Sequence, residues 1–199
     1  MVEINREKFF SMLAHRPTEE METIQDAYWL AKDGHRVQKR DDGQRYFEHP
    51  RRVAMILMGF GRQETSIIVT SLLHDLIEDT FVPPRIIVGR FGTTIWHNIS
   101  TLSHRIPLFD PVDGGVIGYE KKDRSEYYAS ICGSDEAVRL VKCADRYDNL
   151  DIKHWAEPRQ RHYLAETRKY VLPIAAATHP DLARKIKGRV CAFENNLDA

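Results

Sequence analysis

Apolar residues recur along this chain at spacings of three and four, the signature of helices that bury one face. Met21, Ile24, Tyr28, Ala31 and His35 form one such stripe, with Thr18 placed to cap the helix start ahead of two glutamates. Val53, Ile56, Leu57 and Phe60 form a second, which Gly59 and Gly61 should stop. From Glu64 to Ile77 the residues are apolar on most sides, which predicts a central buried helix rather than a surface one. Ser134 is placed to cap a helix carrying Ala137, Val138, Val141 and Ala144. Leu164, Thr167, Val171 and Ile174 continue the pattern after Pro158, and Leu182, Ile186, Val190, Phe193 and Leu197 end it, with Pro180 near the start of that last helix (180–197).

No segment alternates convincingly as a strand does. Val82 to Val88 comes nearest, but Pro83-Pro84 suits a loop opening a short helix. Ser103 to Gly118, with Pro107, Pro111, Gly114, Gly115 and Gly118, is the clear irregular segment, and a loop of that length is usually functional or disordered. The pattern predicts an all-α fold. With 199 residues the chain has enough length for one sizeable core and is short for two, so residues 1–199 are expected to form a single domain.

Charge changes the picture locally rather than globally. The 29 basic and 29 acidic residues cancel, which argues against nonspecific nucleic-acid binding. An anionic ligand would need a local patch. Arg36, Lys39, Arg40, Arg45, Arg51 and Arg52 cluster around His49, while Lys142 and Arg146 flank Asp145. Cys132, Cys143 and Cys191 lack metal-type spacing and read as reduced thiols, Cys143 as part of the core. There is neither a signal-peptide pattern nor a run approaching the roughly 18 apolar residues of a membrane span, so a soluble cytoplasmic protein is expected.

The candidate chemistry centres on Leu72-Leu73-His74-Asp75-Leu76-Ile77-Glu78-Asp79-Thr80. A histidine and three acids at the end of an apolar helix are costly to bury unless a cation compensates them. On a helix, His74 and Glu78 are four apart, and Asp75 is three and four from Glu78 and Asp79, so all can gather at one end. Asp145 lies on the apolar stripe of its own helix, seven and four residues after Val138 and Val141, and needs a partner there; Asn149 follows one turn later. Singly, each feature has an ordinary explanation: His49 can end a loop before Pro50, and Asp145 can pair with Arg146. Together, nitrogens from His49 and His74 with oxygens from Asp75 and Asp145 make a mixed set. It suits an octahedral first-row ion, manganese best, with iron, zinc or magnesium as alternatives. His35, at the end of its stripe near the basic cluster, stands out from the remaining histidines.

Three motifs occur in order: Tyr46-x-x-His49-Pro50-x-x-Val53-Ala54, then Leu73-His74-Asp75-x-x-Glu78-Asp79-Thr80, then Val141-Lys142-x-Ala144-Asp145-Arg146-x-x-Asn149-Leu150. Over about residues 22–176 the chain resembles the HD-domain metal-dependent phosphohydrolases, and among them it is most similar to the Rel/SpoT hydrolase domain and small alarmone hydrolases. The resemblance implies an HD-type helical bundle in which His49, His74, Asp75 and Asp145 hold one Mn²⁺. It implies that Glu78 and Asp79 act beside the metal, on the attacking water and the pyrophosphate. It also implies hydrolysis of the 3′-pyrophosphate of guanosine tetra- or pentaphosphate, and with no synthetase or regulatory domain recognised after it a stand-alone hydrolase is expected. Arg40 and Asn149 match the nucleotide pocket, with Lys39, Arg36, Lys142 and Arg146 as further candidates for the substrate.

Three departures bear on the substrate. Asp41-Asp42 stand where alarmone hydrolases often continue basic, Asp148 replaces the usual residue before Asn149, and the 103–118 segment is unusually long and rich in proline and glycine. An HD phosphohydrolase acting on another nucleotide, such as a deoxynucleoside mono- or triphosphate, therefore stays open, as does a catalytically idle nucleotide-sensing domain. The intact Glu78-Asp79 pair speaks against the last. In every case the expected partner is a small-molecule nucleotide, with no nucleic acid and no membrane.

Overall fold

A computed structural model describes residues 2–41, 43–110, 112 and 116–198, so that Asp42, Pro111, Gly114 and Gly115 lie outside the described residues. The chain runs α1 (Val2–Ser11), α2 (Thr18–Gly34), α3 (Glu48–Gly59), α4 (Thr65–Leu73), α5 (Leu76–Asp79) and α6 (Pro84–Leu102). A hairpin of β1 (Arg105–Phe109) and β2 (Val116–Lys121) follows, then α7 (Arg124–Cys132), α8 (Glu136–Asp148) and α9 (Glu157–Glu166). A π-helical turn at Thr167–Val171 leads into α10 (Leu172–Thr178), and α11 (Pro180–Leu197) ends the fold. The architecture is a helical bundle with one short hairpin.

Helix α4 sits at the centre because nearly every side is apolar. Its Ile67 packs with Leu57, Val141 and Val190 in one cluster, while Ile68, Val69, Leu72 and Leu73 pack with Ile24, Ala31 and Ile87 in another. Burying a leucine or isoleucine side chain stabilises by about 1.5–3 kcal/mol, so a helix buried on all sides is a strong organiser. The expected central helix is real but broken. It stops at Leu73 and resumes at Leu76, with His74 and Asp75 in the turn between. Both keep helical backbone angles, and their side chains come together, His74 Nε2 lying 3.2 Å from Asp75 Oδ1.

Local expectations differ at several ends. Thr18 is the first helical residue, preceded by Pro17, and does not cap α2. Ser134 bonds back to the Ile131 carbonyl at 2.6 Å, so the residue flanking α8 is Asp135. Pro83 precedes and Pro84 opens α6, which reaches 19 residues and bends at Gly92, where φ is +82°. The segment expected to be irregular, 103–118, instead carries β1 and the start of β2. Arg105 is paired with Lys121 and Leu108 with Gly118, and the register shifts after Leu108. Gly61, with φ of +79°, ends the α3 stripe as its sequence position suggested.

At Gly34 a Cβ would lie 2.6 Å from Leu76 Cδ2. A larger residue there would require the buried Leu76 side chain to shift, and His35 follows directly at the end of α2. Among the described residues, no helix is long and apolar enough to cross a membrane.

Candidate metal centre and its cleft

Four side chains from three places in the sequence meet between the two apolar clusters. His49 comes from the first turn of α3, where Pro50 costs no hydrogen bond because early helical N–H groups have no partner. His74 and Asp75 come from the α4–α5 turn, and Asp145 from α8. His49 Nε2 lies 3.2 Å from Asp145 Oδ1 and 3.6 Å from Asp75 Oδ2, and His74 Nε2 lies 3.2 Å from Asp75 Oδ1 and 3.9 Å from Asp145 Oδ1. Ligand atoms of His49, His74 and Asp145 all fall within 4.8 Å of one another.

The donor set fits a divalent cation. His74 Nδ1 is 2.8 Å from the Ser71 carbonyl, an acceptor, which fixes the proton on Nδ1. Its Nε2 is buried with no hydrogen-bond partner and turned toward the carboxylates. A lone pair left buried in that way wants an electrophile. Burial alone would lower the His49 pKa, but hydrogen bonds with Asp145 and Asp148 and the charge of Asp75 lift it to about 9. Burial opposes the charge of Asp145 too, yet Lys142 and the His49 bond hold its carboxyl well below the usual range; burial also opposes the Asp75 charge, and the imidazoles of His74 and His49 lower its carboxyl.

Beside this quartet stand the two acids of α5. Glu78 Oε2 accepts from the His104 backbone N–H at 2.9 Å, and Asp79 Oδ2 accepts from the Tyr46 hydroxyl at 2.6 Å. The same hydroxyl donates to Asp75 Oδ2 at 3.0 Å, so Tyr46 ties one candidate ligand to one candidate base. Burial, then the nearby Asp75 charge, pushes Asp79 up; burial likewise pushes Glu78 up, against the His104 bond. Arg105, at the start of β1, lies 3.6 Å from each acid. His35 stacks on the Tyr46 ring at 4.7 Å and bonds Gln38 through Nδ1 at 2.7 Å.

A cleft of about 1290 Å³ opens on His74, Asp75 and Asp145. Arg40 and Asn149 meet there, the Arg40 guanidinium donating to Asn149 Oδ1 at 2.5 Å while Asn149 Nδ2 donates to Asp145 Oδ1 at 2.6 Å. Lys39 lies on the wall, and buried Lys142 donates to Asp145 Oδ2 at 3.0 Å. Arg36 and Arg146 do not line this cleft. Arg36 is exposed, and Arg146 turns the other way. Its guanidinium is buried on Glu166 at 2.5 Å, the Tyr128 hydroxyl at 2.7 Å and Thr167 Oγ1 at 3.0 Å, with its Cζ 3.9 Å from the Tyr163 ring centre. It holds α8 to α9 as a structural ion pair. In the basic cluster, Arg51 is spent on Glu48 and Arg52 on Asp148.

Sequence reasoning missed Tyr46 as a bridge, Arg105 as the cation facing both acids, and Asp148 as a partner of His49. The signal for Tyr46 was present, since it opens the first motif. Asp148 stood out only as a departure before Asn149, with no sign of its partner, and nothing local marked Arg105.

No family model matches the chain. It is 32% identical over 167 residues, 82% of its length and 22% of the relative's, to guanosine-3′,5′-bis(diphosphate) 3′-pyrophosphohydrolase of Aquifex aeolicus. It is 30% identical over 164 residues, 81% of its length and 21% of the relative's, to a GTP pyrophosphokinase of Myxococcus xanthus. A solved structure described as a metazoan orthologue of SpoT that hydrolyses ppGpp superposes with a TM-score of 0.67 at 20% identity, covering 90% of this chain and 97% of that one. The chain is an HD-type homologue of the Rel/SpoT proteins. It spans about a fifth of the length of the curated Rel/SpoT relatives it matches. At 20% identity the structural likeness establishes the fold.

Proposed function

We propose that this chain is a divalent-metal-dependent phosphohydrolase that removes the 3′-pyrophosphate from guanosine tetra- or pentaphosphate. The convergence of His49, His74, Asp75 and Asp145, with His74 Nε2 buried and unpartnered, carries the reading. The printed activities of the Aquifex relative and of the metazoan structure support the substrate. Two nitrogens and two carboxylates leave room for water in an octahedral shell, a mixed set that suits manganese best, with iron, zinc or magnesium as alternatives. A cation held there would lower the pKa of water and offset charge developing on phosphate oxygens.

The chain's own groups supply the rest. Glu78, whose pKa burial raises, would be the base that takes a proton from water. Asp79 is kept in register by the Tyr46 hydroxyl. Arg105 faces both acids and can meet phosphate oxygens that would otherwise be repelled by them. Lys39, Arg40 and Lys142, with Asn149, line the cleft that a guanine nucleotide carrying two pyrophosphates would fill. Cleavage consumes one water, breaks the bond between the ester phosphorus and the 3′ oxygen, and leaves a 3′ hydroxyl and free pyrophosphate.

Asp41 on the cleft wall favours a second reading, an HD phosphohydrolase acting on a different nucleotide. The test is to strip the purified chain with chelator, restore Mn²⁺, and score phosphate, pyrophosphate and triphosphate release from a panel. The panel holds the guanosine alarmones, GTP, dGTP and deoxynucleoside monophosphates. Pyrophosphate from the alarmones is expected. Inert alarmones with turnover of another nucleotide would favour the second reading, and no release from any nucleotide would remove the enzyme.

A further inference from the structure

One carboxylate next to the quartet belongs neither to the candidate ligands nor to the candidate bases. Asp148 closes α8, three residues beyond Asp145, and its Oδ2 lies 2.6 Å from His49 Nδ1. Arg52, one turn along α3 from His49, grips the same carboxylate with two bonds, Nε to Oδ1 at 2.8 Å and Nη2 to Oδ2 at 3.0 Å. The remaining Arg52 nitrogen, Nη1, reaches Gln44 Oε1 at 3.2 Å. The His49 and Asp148 side chains are 1% and 8% exposed, so this contact is made away from bulk water.

The geometry divides the imidazole between two tasks. An acceptor at Nδ1 keeps a proton there, so the nitrogen that would give its lone pair to a cation is Nε2, which faces Asp75 and Asp145. The bidentate guanidinium fixes the plane of the carboxylate, and the carboxylate fixes the plane of the ring. His74 obtains the same tautomer from a neutral backbone carbonyl, so the two imidazoles are held by acceptors of different charge.

We propose that Asp148, clamped by Arg52, is a positioning residue for His49 that sets how tightly the centre holds its cation. The assignment rests on the metal-centre reading above. A carboxylate behind a ligating imidazole makes the ring a stronger donor, and removing such a partner typically weakens metal binding about 10- to 100-fold.

The test measures Mn²⁺ and Zn²⁺ dissociation constants by chelator competition on the full chain, with circular dichroism to confirm folding. Asp148→Asn keeps an acceptor oxygen of the same shape and removes the charge, so about 10- to 100-fold weaker binding of both ions is expected. Arg52→Gln should weaken binding in the same direction by less. Adding Arg52→Gln to Asp148→Asn should cost little more, because Arg52 acts through Asp148.

A folded Asp148→Asn variant that binds within about threefold of the parent would overturn the proposal, as would losses that multiply independently in the double variant. Should Asp148→Asn fail to fold, unchanged affinity in Arg52→Gln overturns it instead. A parent chain that binds metal and cleaves no alarmone would defeat the proposed substrate and leave this assignment standing. A parent chain that binds neither ion defeats the centre and the assignment together.

Discussion

Replacing Glu78 with glutamine removes one ionisable oxygen and leaves the shape of the side chain. In the structure Glu78 Oε2 accepts the His104 N–H at 2.9 Å, and the glutamine carbonyl can take over that bond. What disappears is a charge 3.6 Å from the half-exposed Arg105, an interaction worth at most about 1 kcal/mol when screened by solvent. Burial raises the Glu78 pKa, so its ionised form opposes folding. The associated stability is complete below the ordinary carboxylate value of 4.5 and is lost as pH rises through the folded value. At neutral pH the variant should therefore melt no lower than the parent. Metal content should also be unchanged, because none of the four candidate ligands is altered.

Turnover should behave differently. A general base contributes about 100- to 10,000-fold, or roughly 2.7–5.4 kcal/mol of barrier, so single-turnover pyrophosphate release should fall by that factor with substrate binding intact. The assay pairs rapid-quench product analysis with elemental analysis of the same sample. A variant that retains the parent's rate, or that loses its metal, refutes the role assigned to Glu78.

Burial, with the Asp75 charge, also raises Asp79, so the acid limb of kcat should lie above the ordinary carboxylate values of 3.8 and 4.5; a profile flat down to pH 4 would contradict it. Glu166→Ala leaves the buried Arg146 guanidinium without its carboxylate and should destabilise by about 3–5 kcal/mol in urea unfolding, whereas a loss under about 1 kcal/mol would show the pair to be dispensable. Cys143 is buried and its thiol pushed up to about 12, while Cys132 is exposed. Iodoacetamide at pH 8 should therefore label the native chain at Cys132 and spare Cys143, as read by peptide mass spectrometry; rapid labelling of Cys143 would mean that the core opens readily.

Much of the helical order was legible in the sequence because packing against a core imposes a period of 3.6 on apolar residues wherever a helix lies. The stripes on α2, α3, α8 and α11 are of this kind. The hairpin was not legible. Each strand is short, Pro107 sits within β1 and Gly118 within β2, and what makes them strands is the ladder between them, a contact that neither segment expresses alone. Helix ends were similarly opaque at Thr18 and Ser134. A polar residue near a start can cap or merely begin the helix, and the choice depends on where the chain arrives from.

Sequence by itself marked which side chains are the candidates for the chemistry. Two histidines, the aspartates and the paired acids of α5 are types that few other structures could tolerate at apolar positions, and their order along the chain is the mark of the family. Only the tertiary structure decided what each does. Arg146 and Arg52 look alike as basic neighbours of the motifs. One is buried on Glu166 to hold two helices together, and the other clamps Asp148 behind His49. The reason is geometric. A helix turns by about 100° per residue, so neighbours in sequence face different partners, and a charge takes its role from the partner it meets across the fold.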